Sequence, residues 1–313
     1  MTLLRRLLLL PVGIALANFL GYSYARIAGG LRPWDLAADG RPILFAEYGE
    51  YARRVLRFDL GPYPVGAGQP IAEVLGKAAQ SSLGLAGLAF LLSAVLGLML
   101  GMAAVRIRSA RLAPWMVPVS TIGLATPSFY VGTLAILAGL EYAVRGGPNA
   151  TLPLPLQGFG WDLHLVLPTL ALAVRPTMQI AQATASLLAE EAGQAYVLAA
   201  RSHGLSWRRI RWRHTLRNVL APVVLVMAGS LRLLAGELVL VERLFDWPGV
   251  GGLLAETLIP SNLTSRADAV AFLNPPLLAA LAALFALAFL LADLVASTLA
   301  QRWDPRQRGT SDG

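Results

Sequence analysis

The chain has 313 residues, of which 56% are hydrophobic and only 14% are charged. Soluble globular proteins carry about 25% charged residues, so this composition excludes a disordered chain and indicates a membrane protein. The chain contains no cysteine, which excludes disulfides, thiolate nucleophiles and Cys-based zinc sites. No two of its three histidines have the four-residue spacing of a helical metal site. We therefore predict neither a metal site nor a catalytic site.

Six apolar segments of membrane-spanning length follow one another along the chain. About 20 residues cross the hydrocarbon core of a bilayer, and four uncharged runs reach that length, namely 7–25, 78–105, 112–140 and 269–292. Two further spans, 164–189 and 218–241, contain charged residues. The first run follows two arginines, as in a secretory signal peptide, but five more spans follow it, so we predict an uncleaved helix. The sequence thus predicts an all-α polytopic membrane protein with six transmembrane helices.

The loop between the first two spans contains one short amphipathic stretch, residues 43–58, among several prolines. Five of its residues are charged and the rest are largely apolar. This pattern predicts a short helix that lies in the interface of the outer leaflet.

The arginines predict the orientation of the chain. Arginine supplies 25 of the 26 basic residues and hence the net charge of +8. A high basic content can indicate nucleic-acid binding, but these arginines lie in short segments between apolar spans, so we predict no nucleic-acid partner. Fourteen of them fall on the side that holds both termini: Arg5, Arg6, Arg106, Arg108, Arg111, Arg201, Arg208, Arg209, Arg211, Arg213, Arg217, Arg302, Arg306 and Arg308. By the positive-inside rule, both termini and the loop 190–217 are predicted to be cytoplasmic.

Four ionisable residues lie inside the predicted spans: Arg175, Arg232, Glu237 and Asp293. Intramembrane charges usually face a water-filled cavity or pair with one another. Two interpretations stay open. Arg175, Arg232 and Glu237 line the pathway of a charged substrate, or Arg232 forms a structural ion pair with Asp293.

Two other features of the spans concern packing. Gly97 and Gly101 are four residues apart, which would permit close contact between the second span and another helix. The prolines inside the spans predict kinks, because each removes a backbone hydrogen bond: Pro118, Pro127, Pro168 and Pro176.

The segment between the fourth and fifth spans is too long for a simple turn. Residues 194–203 are compatible with a helix, Gly204 fits the left-handed position after a helix end, and Ser206 is a good N-cap for a second helix that begins at Trp207. The sequence therefore predicts an elbow of helix, glycine and helix. Such an elbow suits docking into a groove on a partner protein, or it is a basic loop that only fixes the topology.

Two motifs now make the sequence recognisable. Tyr196-Val-x-x-Ala-Arg-x-x-Gly204-Leu-Ser, followed by His214-x-x-Arg-Asn-x-x-x-Pro222, resembles the cytoplasmic loop signature of ABC-importer permeases. It is most similar to the dipeptide, oligopeptide and nickel branch. Val241-Glu-x-x-Phe-x-x-Pro-Gly-x-Gly251 resembles a segment that follows the fifth span in that branch. The chain departs from the family at Leu198, where the broader signature has glutamate, at His203, where the branch has lysine, and at Ala185.

The resemblance implies a type I ABC-importer permease fold and assigns roles to two sets of residues. One set would contact the ATPase subunits of the importer, namely Tyr196, Ala199, Ala200, Arg201, Gly204, Leu205, His214, Arg217 and Asn218. An extracytoplasmic or gating segment comprises Glu242, Phe245, Pro248, Gly249 and Gly251. The domains implied are residues 1–78, the first helix with its extracytoplasmic loop, then 79–303, a five-helix core with the coupling loop 190–217, and a cytoplasmic tail, 304–313.

The resemblance also implies a multi-subunit importer in a prokaryotic inner membrane. The chain would form half of the pathway beside a second, paralogous permease subunit. Two cytoplasmic ATPase subunits would bind Mg-ATP, an extracytoplasmic binding protein would deliver short peptides, nickel chelates or related solutes, and lipid would surround the spans. The chain itself is predicted to be no enzyme and to hold no cofactor, because its single Gly-Lys pair, Gly76-Lys77, lacks the first glycine of a P-loop. Alternatives are a self-contained secondary transporter and, less favoured, a polytopic membrane enzyme.

Overall fold

The computed structural model describes residues 3–32, 35–37, 40, 42–65, 68–106, 109–147, 151–259 and 272–303, with side chains from residue 9 to residue 299. These residues are mostly helical. The helices are α1 (Leu3–Ala28), α2 (Ile43–Val55), α3 (Ile71–Ala103), α4 (Met116–Ala125), α5 (Ser128–Gly146), α6 (Val166–Ala192), α7 (Ala195–Ser202), α8 (Trp207–Arg209), α9 (Leu216–Phe245), α10 (Val250–Leu258) and α11 (Pro275–Trp303). A 3-10 turn, Leu163–Leu165, precedes α6, and a π-helical segment, Ile210–Thr215, joins α8 to α9. Two short strands, β1 (Val105–Arg106) and β2 (Arg111–Leu112), pair antiparallel after α3.

Four helices in the described part of the chain are long and apolar enough to cross a bilayer: Ile71–Ala103, Leu163–Ala192, Trp207–Phe245 and Pro275–Leu299. Helices α4 and α5 together pass the same test, but they are bent by 92° at the break between them. The multi-pass, all-α class is therefore confirmed. Helix α1 contains the first predicted span, and the count of six stays a prediction.

The third predicted span, 112–140, is not one straight helix. Helix α4 begins at Met116, and the helical run stops at Thr126 and Pro127 before α5 begins. Pro127 has no N–H to continue the helical ladder, and it disfavours the helical conformation of the residue before it. Thr126 is accordingly extended, at φ −85° and ψ 117°. The kink predicted at Pro127 is confirmed, and it is a sharp bend.

The other spans begin or end beyond the predicted boundaries. Helix α3 begins at Ile71, seven residues before the uncharged run, and Glu73 and Lys77 form a stabilising i,i+4 ion pair of 2.8 Å on its first turns. Helix α11 extends to Trp303, beyond the uncharged run that ends at residue 292, and it contains Asp293 as predicted. A charge ends an uncharged run, but it does not end a helix.

The described residues of 3–84 and 246–291 form one compact unit. Helix α2 packs in it against α1, and the Asn18 side chain donates to the carbonyl of Ala279 at 3.1 Å and to the Tyr51 hydroxyl at 3.3 Å. The amphipathic helix is confirmed as α2, although it ends three residues earlier than predicted.

The described residues of 85–245 and 292–303 form the second compact unit. Its main apolar core lies between α6 and α9, where residues of α6 pack with residues at the start of α9: Ile180, Ala181, Ala185, Leu188, Leu216, Val219 and Val223. In a membrane, where lipid is as apolar as the protein, helices gain little from hydrophobicity and depend on close packing.

The two glycines of α3 provide that close packing against α6. A Cβ added at Gly97 would lie 2.7 Å from the Cβ of Ile180, and one at Gly101 would lie 2.5 Å from the Cβ of Thr184. Neither contact leaves room for a side chain. The predicted role of these glycines in helix contact is confirmed.

Candidate coupling site

The elbow predicted between the fourth and fifth spans is present. Helix α7 spans eight residues, Gly204 follows it at a positive φ of +78°, and Ser206 caps the next helix by accepting a hydrogen bond from the N–H of Arg209 at 3.4 Å. The N–H of Leu205 bonds to the carbonyl of Ala200 at 3.2 Å, which closes the turn around Gly204. The left-handed conformation is the reason for glycine at this position, because a side chain there would be strained even in open space.

The second helix of the elbow is longer than expected. The sequence predicted a short helix before a separate span, but the chain is helical without a break from Trp207 to Phe245, over 39 residues. Such a helix is roughly 58 Å long, whereas the hydrocarbon core of a bilayer is about 30 Å thick. The turn at Gly204 therefore connects α7 to one helical rod, Trp207–Phe245, that is long enough to cross the membrane.

One carboxylate joins α7 to both neighbouring helices. Glu191 lies in the last turn of α6, and its Oε1 accepts hydrogen bonds from the Tyr196 hydroxyl at 2.8 Å and from the Asn218 side-chain amide at 2.7 Å. Burial and the bond to Glu191 raise the pKa of Tyr196 to about 12. The hydroxyl therefore stays a donor throughout the neutral pH range. Of the predicted coupling residues, the structure brings Tyr196 and Asn218 together.

Arg201 stabilises the turn at Gly204 through contacts within the elbow. Its Nη1 donates to the carbonyl of Leu205 at 2.9 Å, and its guanidinium lies 4.5 Å from the ring centroid of Trp207. The resemblance implies that Arg201 contacts an ATPase, and within this chain it bonds to a carbonyl of its own elbow. Such cation–π contacts contribute on the order of 0.5–1 kcal/mol when exposed.

The outer face of the elbow is exposed. Ala199, Arg201 and Gly204 are open to solvent, and Leu198 is 70% exposed, although leucine is a large apolar residue. Val197 of α7 is buried. The predicted residues His214 and Arg217 lie further along, on the π-helical segment and on the first turn of α9. The exposed face thus combines the small residues Ala199 and Gly204 and the apolar Leu198, which allow another backbone to approach, with the charged Arg201.

A π-helical segment lies between the elbow and the membrane-crossing part of the rod. Ile210 and Thr215 are buried there, and the Thr215 hydroxyl donates to the carbonyl of Arg211 at 2.9 Å. Arg211 in turn donates to the carbonyl of Val105 in β1 at 3.0 Å. π-Helical turns occur frequently at functional sites. This one ties the base of the elbow to the hairpin that follows α3.

The second predicted set, at the other end of the rod, is largely buried. Glu242 and Phe245 are buried in α9, Gly249 and Gly251 are buried in the following segment, and Pro248 is exposed. The carbonyl of Phe245 accepts a hydrogen bond from the N–H of Gly158 at 2.9 Å. The role of this segment as a gate stays a prediction.

Trp247 anchors the residues that follow α9. Its side chain is 1% exposed, and its Nε1 donates to the carbonyl of Ser81 at 3.2 Å. Close by, the Ser82 hydroxyl accepts a hydrogen bond from the N–H of Val250, at the start of α10, at 2.8 Å. The sequence analysis missed Trp247, because the motif singles out its neighbours and leaves this position open.

Each intramembrane arginine pairs with an acid. Arg232 and Asp293 form the predicted ion pair, with Nη1 and Oδ1 3.0 Å apart, and the role of Arg232 on a pathway stays a prediction. Arg175 pairs with Glu237, which the sequence did not predict, and its Nε also donates to the carbonyl of Leu124 at 3.1 Å. Leu124 is in the last turn of α4, so Arg175 satisfies a carbonyl that the broken span leaves without a helical partner.

Comparison with known proteins assigns this architecture to a family. Residues 93–309 match the model of the binding-protein-dependent transport system inner membrane component. The chain belongs to this family. It is 33% identical to the dipeptide transport system permease protein of Bacillus subtilis, over 69% of this chain and 68% of that protein. It is 29% identical to the dipeptide permease of Lactococcus lactis over 85% and 81%, and 29% identical to the oligopeptide permease of Mycobacterium bovis over 98% of both chains.

The matched region places the candidate site within the family's shared part. It begins within α3 and includes the broken span, the elbow, the 39-residue rod and α10. The inner-membrane family and the long apolar helices together make this permease a multi-pass membrane protein, as the sequence predicts. The resemblance drawn from the two motifs is thereby confirmed.

Proposed function

We propose that this chain is the permease subunit of an importer for short peptides and that its elbow transmits the action of ATPase subunits to the membrane helices. One observation carries the proposal. Gly204 connects an exposed two-turn helix directly to a 39-residue helix that is long enough to cross the membrane. A force on α7 therefore acts on the end of a rod. Its relatives named above are dipeptide and oligopeptide permeases, which supports peptides as the substrate class.

The proposal includes the partners that such a chain needs. A second, paralogous permease subunit would complete the pathway, two ATPase subunits would dock on the exposed face of the elbow and bind Mg-ATP, and an extracytoplasmic binding protein would deliver the peptide. The ATPase contacts would come from the predicted set around Tyr196, Ala199, Ala200 and Gly204. The inward- and outward-open arrangements must be close in free energy for the ATPases to shift the balance between them.

The charge distribution supports an orientation with both termini and the elbow in the cytoplasm. Arg201, Arg208, Arg209, Arg211, Arg213 and Arg217 all lie in or beside the elbow. Short loops that are rich in arginine stay on the cytoplasmic side, and this bias sets the orientation of a membrane protein. An elbow on this side would face the compartment that holds ATP.

We also propose that Arg175, Arg232 and Glu237 lie along the pathway. A peptide carries a carboxylate and an ammonium group, and the two ion pairs offer a guanidinium and a carboxylate for them. Arg232 and Asp293 are each about half exposed, so this pair is open to exchange with a ligand.

The decisive experiment changes the backbone at the elbow. Gly204→Val places a β-branched residue at a positive φ, which is a true outlier for such a residue and costs about 1–3 kcal/mol. We expect normal membrane levels but loss of trialanine uptake in the reconstituted importer, because α7 and the rod would no longer meet at the same angle.

Gly68→Val is the matched control. Gly68 has nearly the same φ, +74°, and open space around its Cα, but it lies in the loop before α3. The backbone strain should be equal in the two variants, but Gly68 lies outside the elbow, so uptake by Gly68→Val should persist. Normal uptake by Gly204→Val, or equal loss in both variants, would contradict the coupling role.

A further inference from the structure

We propose that Glu191 is the positioning residue of the elbow, whose single carboxylate oxygen fixes α7 to the end of α6 and to the start of α9 together. The inference rests on the proposed coupling function, because it names the residue through which a movement of α7 reaches both helices. Glu191 lies outside the motif, which begins at Tyr196.

Side chains of two other segments, those of Tyr196 and Asn218, bind to one oxygen atom of Glu191. Oε1 of Glu191 is 2.8 Å from the Tyr196 hydroxyl and 2.7 Å from Nδ2 of Asn218. The Asn218 amide also lies 3.4 Å from the Tyr196 hydroxyl, so each of the three side chains contacts the other two. Hydrogen bonds to an ionised acceptor are shorter and roughly twice as strong as neutral ones. An acceptor-only carboxylate suits this place, because both partners donate.

Helix α7 depends on such a contact for its position. It has only eight residues, and isolated helices shorter than about 12 residues are marginally stable in water. Val197 is its one fully buried side chain. The backbone on either side of α7 turns, at Gly193 and at Gly204, and neither turn fixes the direction of the helix by itself.

The location of Glu191 on its own helix supports a tertiary role. It lies in the last turn of α6, which ends at Ala192. The helix dipole is negative at this end, so a carboxylate there is disfavoured within α6. The bonds to Tyr196 and Asn218 compensate for this, and they come from outside α6. Because the Tyr196 hydroxyl contacts both Glu191 and the Asn218 amide, a movement of α7 relative to α6 also disturbs the contact of α7 with α9.

The test is hydrogen exchange of the backbone amides of residues 195–202, measured on the full chain in nanodiscs. Glu191→Ala should raise their exchange rate roughly tenfold, because hydrogen bonds to charged groups are the stronger class. Glu190→Ala is the matched control, since Glu190 is the preceding residue, carries the same charge and is exposed. Glu191→Gln keeps an acceptor oxygen and should restore most of the protection.

The second measurement is the number of trialanine molecules imported per ATP hydrolysed by the complete importer. Glu191→Ala should lower this ratio severalfold while ATP hydrolysis continues, and Glu191→Gln should recover part of it. Equal exchange in Glu190→Ala and Glu191→Ala overturns the proposal, as does a normal transport ratio in Glu191→Ala. The exchange measurement needs no ATPase, so its failure is distinct from failure of the coupling function, which Gly204→Val tests.

Discussion

The two ends of the helix from Trp207 to Phe245 are built in opposite ways. At its beginning the chain turns through Gly204, with an exposed face and a few polar bonds. After its end the chain enters a segment in which Trp247, Gly249 and Gly251 are buried. Both ends carry motif residues of the same family resemblance. Burial therefore separates residues that are available to a partner from residues that hold the fold.

The difference indicates where movement is possible. Local stability follows the amount of buried apolar contact, and elements that move come from the less stable end of that range. Helix α7 has one buried side chain and a glycine turn. The segment after α9 has a fully buried tryptophan with a bonded indole N–H. We infer that the elbow moves more readily than the part of the second segment around Trp247.

Loss of the anchor should have the largest effect. Trp247→Ala removes a fully buried aromatic side chain and its bond to the Ser81 carbonyl. Trp→Ala in a packed interior costs about 3–5 kcal/mol, so we expect low membrane levels and a strongly reduced melting temperature in detergent. Trp212→Ala is the control at the other end of the rod, where the side chain is 55% exposed. If both variants melted alike, the contrast between the two ends would be wrong.

The next largest loss of stability should come from breaking the ion pair between Arg175 and Glu237, in the middle of the rod. Arg175→Ala removes the partner of Glu237, a carboxylate that is mostly buried and has one oxygen without any other bond among the described residues. Removing one member of a buried pair costs on the order of 3 kcal/mol. A large drop in melting temperature is therefore expected, with further loss at the bend that Arg175 stabilises through Leu124.

A double variant separates the charge from the packing. Arg175→Met with Glu237→Leu leaves no uncompensated charge, so most of the stability should return. If the double variant transported trialanine normally, the two residues would be structural and not part of the pathway. If it were stable but inactive, their place on the pathway would be supported.

Local signals in the sequence predicted the elbow well. Gly204 and Ser206 have backbone roles that depend on their immediate neighbours, and both are found as predicted. The continuity of the helix through residues 207–217 into the fifth span was missed, because arginines interrupt an apolar run without interrupting a helix. The bend at Pro127 was predicted as a kink, but its angle depends on tertiary contacts.

Contacts between distant residues were predicted only in part. The pair of Arg232 with Asp293 was found as one of two interpretations. The pair of Arg175 with Glu237 and the contact of Glu191 with Asn218 join residues 62 and 27 positions apart. Nothing in the local pattern of charge or hydrophobicity specifies such pairs, because they depend on how α6 and α9 pack against each other.

The smallest effect on stability, and the sharpest test of the contrast, concerns the exposed face of the elbow. Leu198 is 70% exposed on α7, and Leu56, after α2, is 81% exposed. Surface substitutions away from special features change stability by no more than ~0.5 kcal/mol, so Leu198→Ser and Leu56→Ser should both melt like the parent protein. Only Leu198→Ser should transport less, because an apolar side chain exposed at a docking face is buried when the ATPase binds. We expect trialanine uptake to fall severalfold with normal membrane levels, measured in the complete importer. Equal uptake by the two variants would show that this face of α7 makes no energetically important contact, and the docking surface would then have to lie on another side of the elbow.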